Sequence, residues 1–96
     1  MEETQKRYKP QGRVVVRRIG EDILLVPVSG PAAGGRVFPI NETAFRIWEA
    51  LADGATVEAI ASTIAETYSV PIETARTDCT HCLSVLLEEQ LIEEEA

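Results

Sequence analysis

Long apolar runs are missing from this 96-residue chain. Nothing in it approaches the roughly 18 consecutive apolar residues that a membrane span needs. Residues 1–12 are too polar and charged to act as a secretory signal. Both absences lead us to expect a cytoplasmic protein with reduced thiols and no membrane partner. Histidine occurs once, as His81, and cysteine twice, as Cys79 and Cys82. A structural zinc site asks for about four ligands, and covalent catalysis asks for a nucleophile held beside an oriented base. No such set is identifiable, and neither is a paired-carboxylate site, so the expectation is a protein that is not an enzyme and needs no metal or cofactor.

Positive charge is also scarce where it would matter most. Residues 1–40 hold seven Lys and Arg against four acids, whereas residues 41–96 hold Arg46 and Arg76 against twelve. An acidic second half repels a phosphate backbone.

What is present reads as one domain with one modest core. Residues 1–12 look like a flexible arm. Val14–Ile19 and Ile23–Val28 are β-branched runs joined by turn residues, which predicts a hairpin. Residues 29–35 form a Gly-rich loop. It has no strand–Gly–helix junction and no closing Lys-Ser/Thr pair, so a flexible hairpin loop explains it better than a phosphate cradle. Arg36–Ile40 is a short third strand, and Pro39 argues for an edge position because it cannot donate to a ladder.

The helices are marked by their caps. Asn41 is a good N-cap, and Glu42 suits the positive end of the helix dipole. Ala44, Ile47, Trp48 and Leu51 recur at helical spacing, and Asp53-Gly54 stops the run. Thr56 caps a second helix whose apolar face is Val57, Ile60, Ala61, Ile64, Ala65 and Tyr68. Ser69-Val70-Pro71 breaks it. A third helix covers about residues 72–90, followed by Leu91-Ile92 and an acidic tail, 93–96, expected to fray. The order predicts an α+β fold, winged helix-turn-helix-like, with a three-stranded antiparallel sheet followed by three helices over residues 13–92.

Residues 38–61 and their flanks carry a resemblance. Ile40-Asn41, Glu42-Thr43-Ala44, Ile47-Trp48, Asp53-Gly54 and Thr56-Val57-Glu58-Ala59-Ile60 occur in order, followed by Tyr68-Ser69-Val70, Asp78 and Leu91-Ile92. With Asp22–Pro27 upstream, the set spans about residues 13–92 and resembles the PqqD-like family of precursor-peptide recognition domains. The resemblance implies a non-catalytic protein that binds the leader segment of a precursor peptide. It also implies a modifying enzyme as second partner, often a radical S-adenosylmethionine enzyme. The leader is implied to add as a strand to the third strand and to lie between it and the third helix. Two departures, the long loop 29–35 and Val28-Ser29 in place of Glu-Arg, point to a peptide pathway other than pyrroloquinoline quinone synthesis.

The expected peptide-binding residues are Arg36, Val37, Phe38, Pro39 and Ile40 on the edge strand, with Arg76, Thr80, Leu83 and Leu87 on the third helix. On a helical wheel Ile72, Ala75, Cys79, Cys82 and Leu86 form the core stripe, and Arg76, Thr80, Leu83 and Leu87 form a second stripe beside it. That second stripe either packs under the sheet or floors a groove. Arg36 and Arg76 are then expected to pair with carboxylates of the leader. Cys79 and Cys82 fall within the helix on its apolar stripe, not at its N-terminus where a thiol is activated, and His81 is expected to face solvent. The rival reading is a winged-helix DNA-binding regulator. Its third helix would need basic and base-reading side chains, and here it offers Arg76 against Glu73, Asp78, Glu88 and Glu89. An unfilled edge strand also leaves self-pairing into a homodimer open.

Overall fold

The structure, a computed structural model, describes residues 6–95. Strand β1 is Arg7–Pro10, β2 Val14–Ile19, β3 Asp22–Pro27 and β4 Phe38–Ile40. Helix α1 (Glu42–Leu51) is followed by a two-residue strand β5 (Ala55–Thr56), α2 (Val57–Tyr68), α3 (Ile72–Glu88) and β6 (Ile92–Glu95). The expected antiparallel sheet is present in the order β2-β3-β4. Beside it stands a second small sheet, β5-β1-β6, which sequence reading missed. The architecture remains α+β and winged-helix-like.

The second sheet corrects two expectations. Within the described residues the N-terminal segment is not a free arm and the acidic tail is not frayed. Arg7, Tyr8, Lys9 and Pro10 pair antiparallel with Glu95, Glu94, Glu93 and Ile92. Arg7 and Tyr8 pair on the other side with Thr56 and Ala55. The physical reason is charge complementarity between the two ends of the chain. Lys6 lies 3.1 Å from Glu94, Arg7 3.1 Å from Glu95 and Lys9 4.0 Å from Glu93. Each exposed pair is worth little alone, but the backbone ladder beneath holds all three in register. Arg7 also donates from Nη2 to the Gly54 carbonyl at 2.8 Å, tying the α1–α2 junction to the same sheet. Residues 1–5 and 96 of the expected arm and tail lie outside the described residues.

The hairpin β2–β3 turns on Gly20-Glu21, with Ile19 opposite Asp22. Gly20 has φ 63° at the first of the two central positions, as a type II′ turn favours. The strand alternates cleanly: Ile23, Leu25 and Pro27 are buried, while Leu24 and Val26 are half-buried on the other face. The loop 29–35 is less free than expected, because Ala32 is buried in the main core.

Four of the helix ends follow local chemistry. Asn41 Oδ1 accepts from the Ala44 N–H at 2.8 Å and Thr56 Oγ1 from the Ala59 N–H at 3.1 Å. Helix α2 ends on Ser69 in the left-handed region, φ 55°. Helix α3 ends with Gln90 at φ 62°. The Gln90 N–H donates to the Leu87 carbonyl and the Leu91 N–H to that of Leu86, both at 3.0 Å, a Schellman arrangement. It delivers Leu91 and Ile92, both buried, into the core and starts β6.

That core joins Leu25, Ile47, Trp48, Leu51, Ile60, Ile64, Cys79, Leu83 and Leu91 among others. The face α3 turns towards it is Ala75, Cys79, Leu83 and Leu86. Leu83 is therefore core, with 3% of its surface exposed, and Ile72, expected in the core, is 38% exposed.

Gly12 yields a test of how the ends are locked. Its φ is 75°, and a Cβ there would collide with the Ser29 carbonyl and Gly30 backbone. Gly20 has a similar φ but open space around it. Gly12→Ala should cost more than about 2 kcal/mol, a fall in Tm of about 10 °C or more, against about 1 kcal/mol for Gly20→Ala. Equal losses in thermal melts would show that Gly12 and Gly30 are not closely packed.

Candidate functional site

The site is built on β4, the outer strand of its sheet, paired only to β3. Ile40 lies opposite Ile23, Pro39 opposite Leu24 and Phe38 opposite Leu25. Proline has no N–H to exchange, so Leu24–Pro39 must be the pair without mutual hydrogen bonds. Phe38 and Ile40 then spend their backbone groups on β3, and the Pro39 carbonyl faces outwards. Among the described residues the N–H groups of Val37 and Asn41 make no backbone hydrogen bond. The open edge thus offers flanking donors at 37 and 41 and an acceptor at 39. The regular strand is shorter than the expected Arg36–Ile40, since Arg36 and Val37 precede it.

Between this edge and α3 runs a cleft of about 750 Å³. Pro39, Ile40 and Asn41 form one wall, Thr43, Ala44 and Ile47 of α1 the floor, and Thr77, Asp78, His81, Cys82, Val85 and Leu86 of α3 the other wall. Val85 is 44% exposed, a large apolar side chain open to solvent beside an open strand edge. A smaller depression of about 400 Å³ lies between α1, β5 and α2, around Arg46, Glu49, Thr63 and Thr67.

The structure separates the nine residues predicted for the site. Pro39 and Ile40 line the cleft, and Phe38 precedes them on the strand with its ring packed against the core. Val37, half exposed, and Arg36 lead into it. The four α3 residues, Arg76, Thr80, Leu83 and Leu87, do not line it. Leu83 is in the core, and the other three lie on the far flank of α3. The reason is a choice of flank. A helical wheel yields two flanks beside a core stripe and does not say which one faces the sheet. His81 is exposed and Cys82 packs against the core, both as expected, and both also line the cleft. Val85, an apolar residue off the core stripe, lies on the flank that faces the cleft.

The two arginines, expected to meet leader carboxylates, each pair with a glutamate of this chain. Arg36 donates from Nη2 to Glu89 Oε1 at 2.8 Å and lies over the Phe38 ring, 4.6 Å from its centroid. This fixes the approach to β4 against the C-terminal turn of α3. Arg76 makes a two-pronged pair with Glu58 of α2, at 2.8 and 3.1 Å. The hydrogen bonds from Arg76 hold the Glu58 carboxyl below its ordinary range. In consequence α3 presents no unpaired cation to a nucleic acid, and nothing supports the DNA-binding reading.

Burial pushes the Cys79 thiol up to about 11 and raises that of Cys82 as well. Both are therefore protonated at neutral pH and poor nucleophiles. Among the described residues no group of three or more His, Cys, Asp or Glu is placed to hold a metal, and no helix is long and apolar enough to cross a membrane.

An open strand edge facing a partly apolar cleft, on a winged-helix-like α+β scaffold, defines a binding module. The model of the family described as coenzyme PQQ synthesis protein D (PqqD) matches residues 21–92. This chain belongs to the PqqD family. It is similar to the solved structure of TbiB1 in complex with the TbiA(beta) leader peptide, with a TM-score of 0.73 and 28% identity over 92% of this chain and 98% of that one. It is also similar in fold to the PqqD truncation of Methylobacterium extorquens PqqCD, described as a functional, stand-alone recognition element for ribosomally synthesised and post-translationally modified peptides. There the TM-score is 0.71 and the identity 22%, over 97% of this chain and 99% of that one. A search of curated proteins matched nothing.

The thiols supply a pH prediction. Cys79 stays neutral in the folded protein up to about pH 11, whereas in the unfolded chain it ionises near 9. The burial advantage is complete below pH 9 and is lost as the pH rises through 11, about 2–3 kcal/mol in all. Urea melts of the wild type and Cys79→Ala should show the mutant losing less stability between pH 8.5 and 11. Parallel pH profiles would contradict a buried neutral thiol.

Proposed function

We propose that this protein binds the leader segment of a ribosomally made precursor peptide and presents it, without chemistry of its own, to a modifying enzyme. The leader adds as an extended strand to the outer edge of β4. Its side chains enter the cleft between β4 and α3. The observation that carries this reading is the cleft itself, an apolar wall at Val85 and Leu86 facing a strand edge with free donors and an acceptor. Strand addition draws affinity from backbone hydrogen bonds and specificity from pockets for alternate side chains. The TbiB1 complex supports it, since that protein is similar along most of its length and holds a leader peptide.

Magnitudes favour a weak to moderate complex. Pro39 limits the edge to a few hydrogen bonds, each worth about 0.5–1.5 kcal/mol net. Micromolar binding needs about 8 kcal/mol, so two or three buried apolar side chains must contribute most of it, at about 1.5–3 kcal/mol each. The cleft, more than the ladder, sets the affinity.

The modifying enzyme is of the radical S-adenosylmethionine class, the reaction takes place in the cytoplasm, and the product is a peptide other than pyrroloquinoline quinone. The long loop 29–35, whose Ala32 enters the core, supports the last point. Self-pairing through β4 is the competing use of the same edge.

The test sets the two flanks of α3 against each other. Synthetic leaders from short reading frames beside this gene are titrated calorimetrically. The wild type should bind one of them with micromolar Kd. Val85→Glu, in the cleft wall, should weaken binding at least about tenfold by burying a charge, and Leu87→Glu, on the far flank, should leave it unchanged. The reverse pattern would place the peptide on the opposite side of α3.

A further inference from the structure

The charges lining the cleft predict what kind of leader fits, an inference that rests on the peptide-binding reading above. The cleft-lining residues include one carboxylate, Asp78, and no Lys or Arg. Asp78 is exposed and forms no ion pair or hydrogen bond among the described residues. Four cations on or near the elements that build the cleft are already engaged, while Arg17 stands two strands away, opposite Leu24. Arg36 is bound to Glu89 and Arg76 to Glu58. Arg46 is shared by Glu42 and Glu49, and Arg18 stands 3.9 Å from Glu42. The N-terminus of α1, which also borders the cleft, is answered by the Asn41 side chain and by Glu42 in its first turn. His81, the other titratable group facing the cleft with Cys82, stands on the same helix as Asp78.

We propose that Asp78 selects a leader carrying a Lys or Arg two to four residues from an apolar anchor. Asp78, Cys82 and Val85 follow one another along a single flank of α3. Seven residues of helix separate Asp78 from Val85, a rise of about 10 Å. An extended peptide covers that distance in about two to four residues at about 3.3 Å each. The basic side chain therefore meets Asp78 two to four positions away from the apolar side chain that packs on Val85 and Leu86. Glutamate or aspartate at the basic position is disfavoured by repulsion, with no free cation in the cleft wall to offset it. This reverses the charge that unpaired Arg36 and Arg76 would have selected.

Phage-displayed random dodecapeptides, selected on the full chain, test the preference without knowledge of the natural leader. Aligned winners should share a Lys or Arg two to four residues from a large apolar residue. Their affinity should fall about five- to tenfold with Asp78→Asn and further with Asp78→Lys. Replacing the peptide's basic residue by Glu should restore binding to Asp78→Lys and not to the wild type. Winners with no basic preference, or binding indifferent to Asp78→Lys while Val85→Glu still abolishes it, would overturn this inference and leave the peptide-binding site standing. Failure to select any peptide, or winners insensitive to Val85→Glu, would overturn the peptide-binding reading and this inference with it.

Discussion

The rotation of α3 about its own axis is the constraint on which the site depends. Ala75, Cys79, Leu83 and Leu86 are all buried, and each has 5% or less of its surface exposed. Turning the helix by one residue's worth of arc would expose part of this stripe and bury the charged or polar residues beside it. Burial of the stripe therefore fixes what the remaining flanks can present. One flank carries Asp78, Cys82 and Val85 into the cleft facing β4. The other carries Arg76 to Glu58 of α2. Two ties at the end of α3 hold the setting. The left-handed turn at Gln90 feeds Leu91 and Ile92 into the core, and Glu89 grips Arg36 from the approach to β4. The wall and the edge of the cleft are thus fastened at the same corner.

Charge asymmetry along the chain has an internal explanation. The basic N-terminal segment and the acidic C-terminal tail answer each other across β1 and β6, through Lys6, Arg7 and Lys9 against Glu94, Glu95 and Glu93. Among the described residues, each of these charges thus already has a partner of opposite sign within the chain. What is left unneutralised at the cleft is a single carboxylate.

Much of the scaffold was legible because its determinants are local. Asn41, Thr56 and Gly54 mark helix ends through bonds and backbone angles set within a few residues, and the structure places them there. The β2–β3 hairpin followed from β-branched runs around a glycine turn. Two features were not legible, for one shared reason. The second sheet joins residues 7–10 to residues 92–95, and no periodicity in a four-residue segment announces a partner that far away. The cleft-facing flank of α3 depends on which side of the helix the sheet occupies, and a wheel treats both sides alike. Arg76 and Leu83 looked available in sequence because Glu58 and the core that claim them are separated from them in the chain.

Strand addition at β4 is the central claim, and amide hydrogen exchange tests it most directly. Among the described residues the N–H groups of Val37 and Asn41 have no backbone partner, whereas those of Phe38 and Ile40 are turned towards β3. On saturation with a binding leader peptide, Val37 and Asn41 should gain strong protection while Phe38 and Ile40, protected already, change little. Protection that appears along the outer edge of β2 or β6, with Val37 and Asn41 still exchanging freely, would contradict the account.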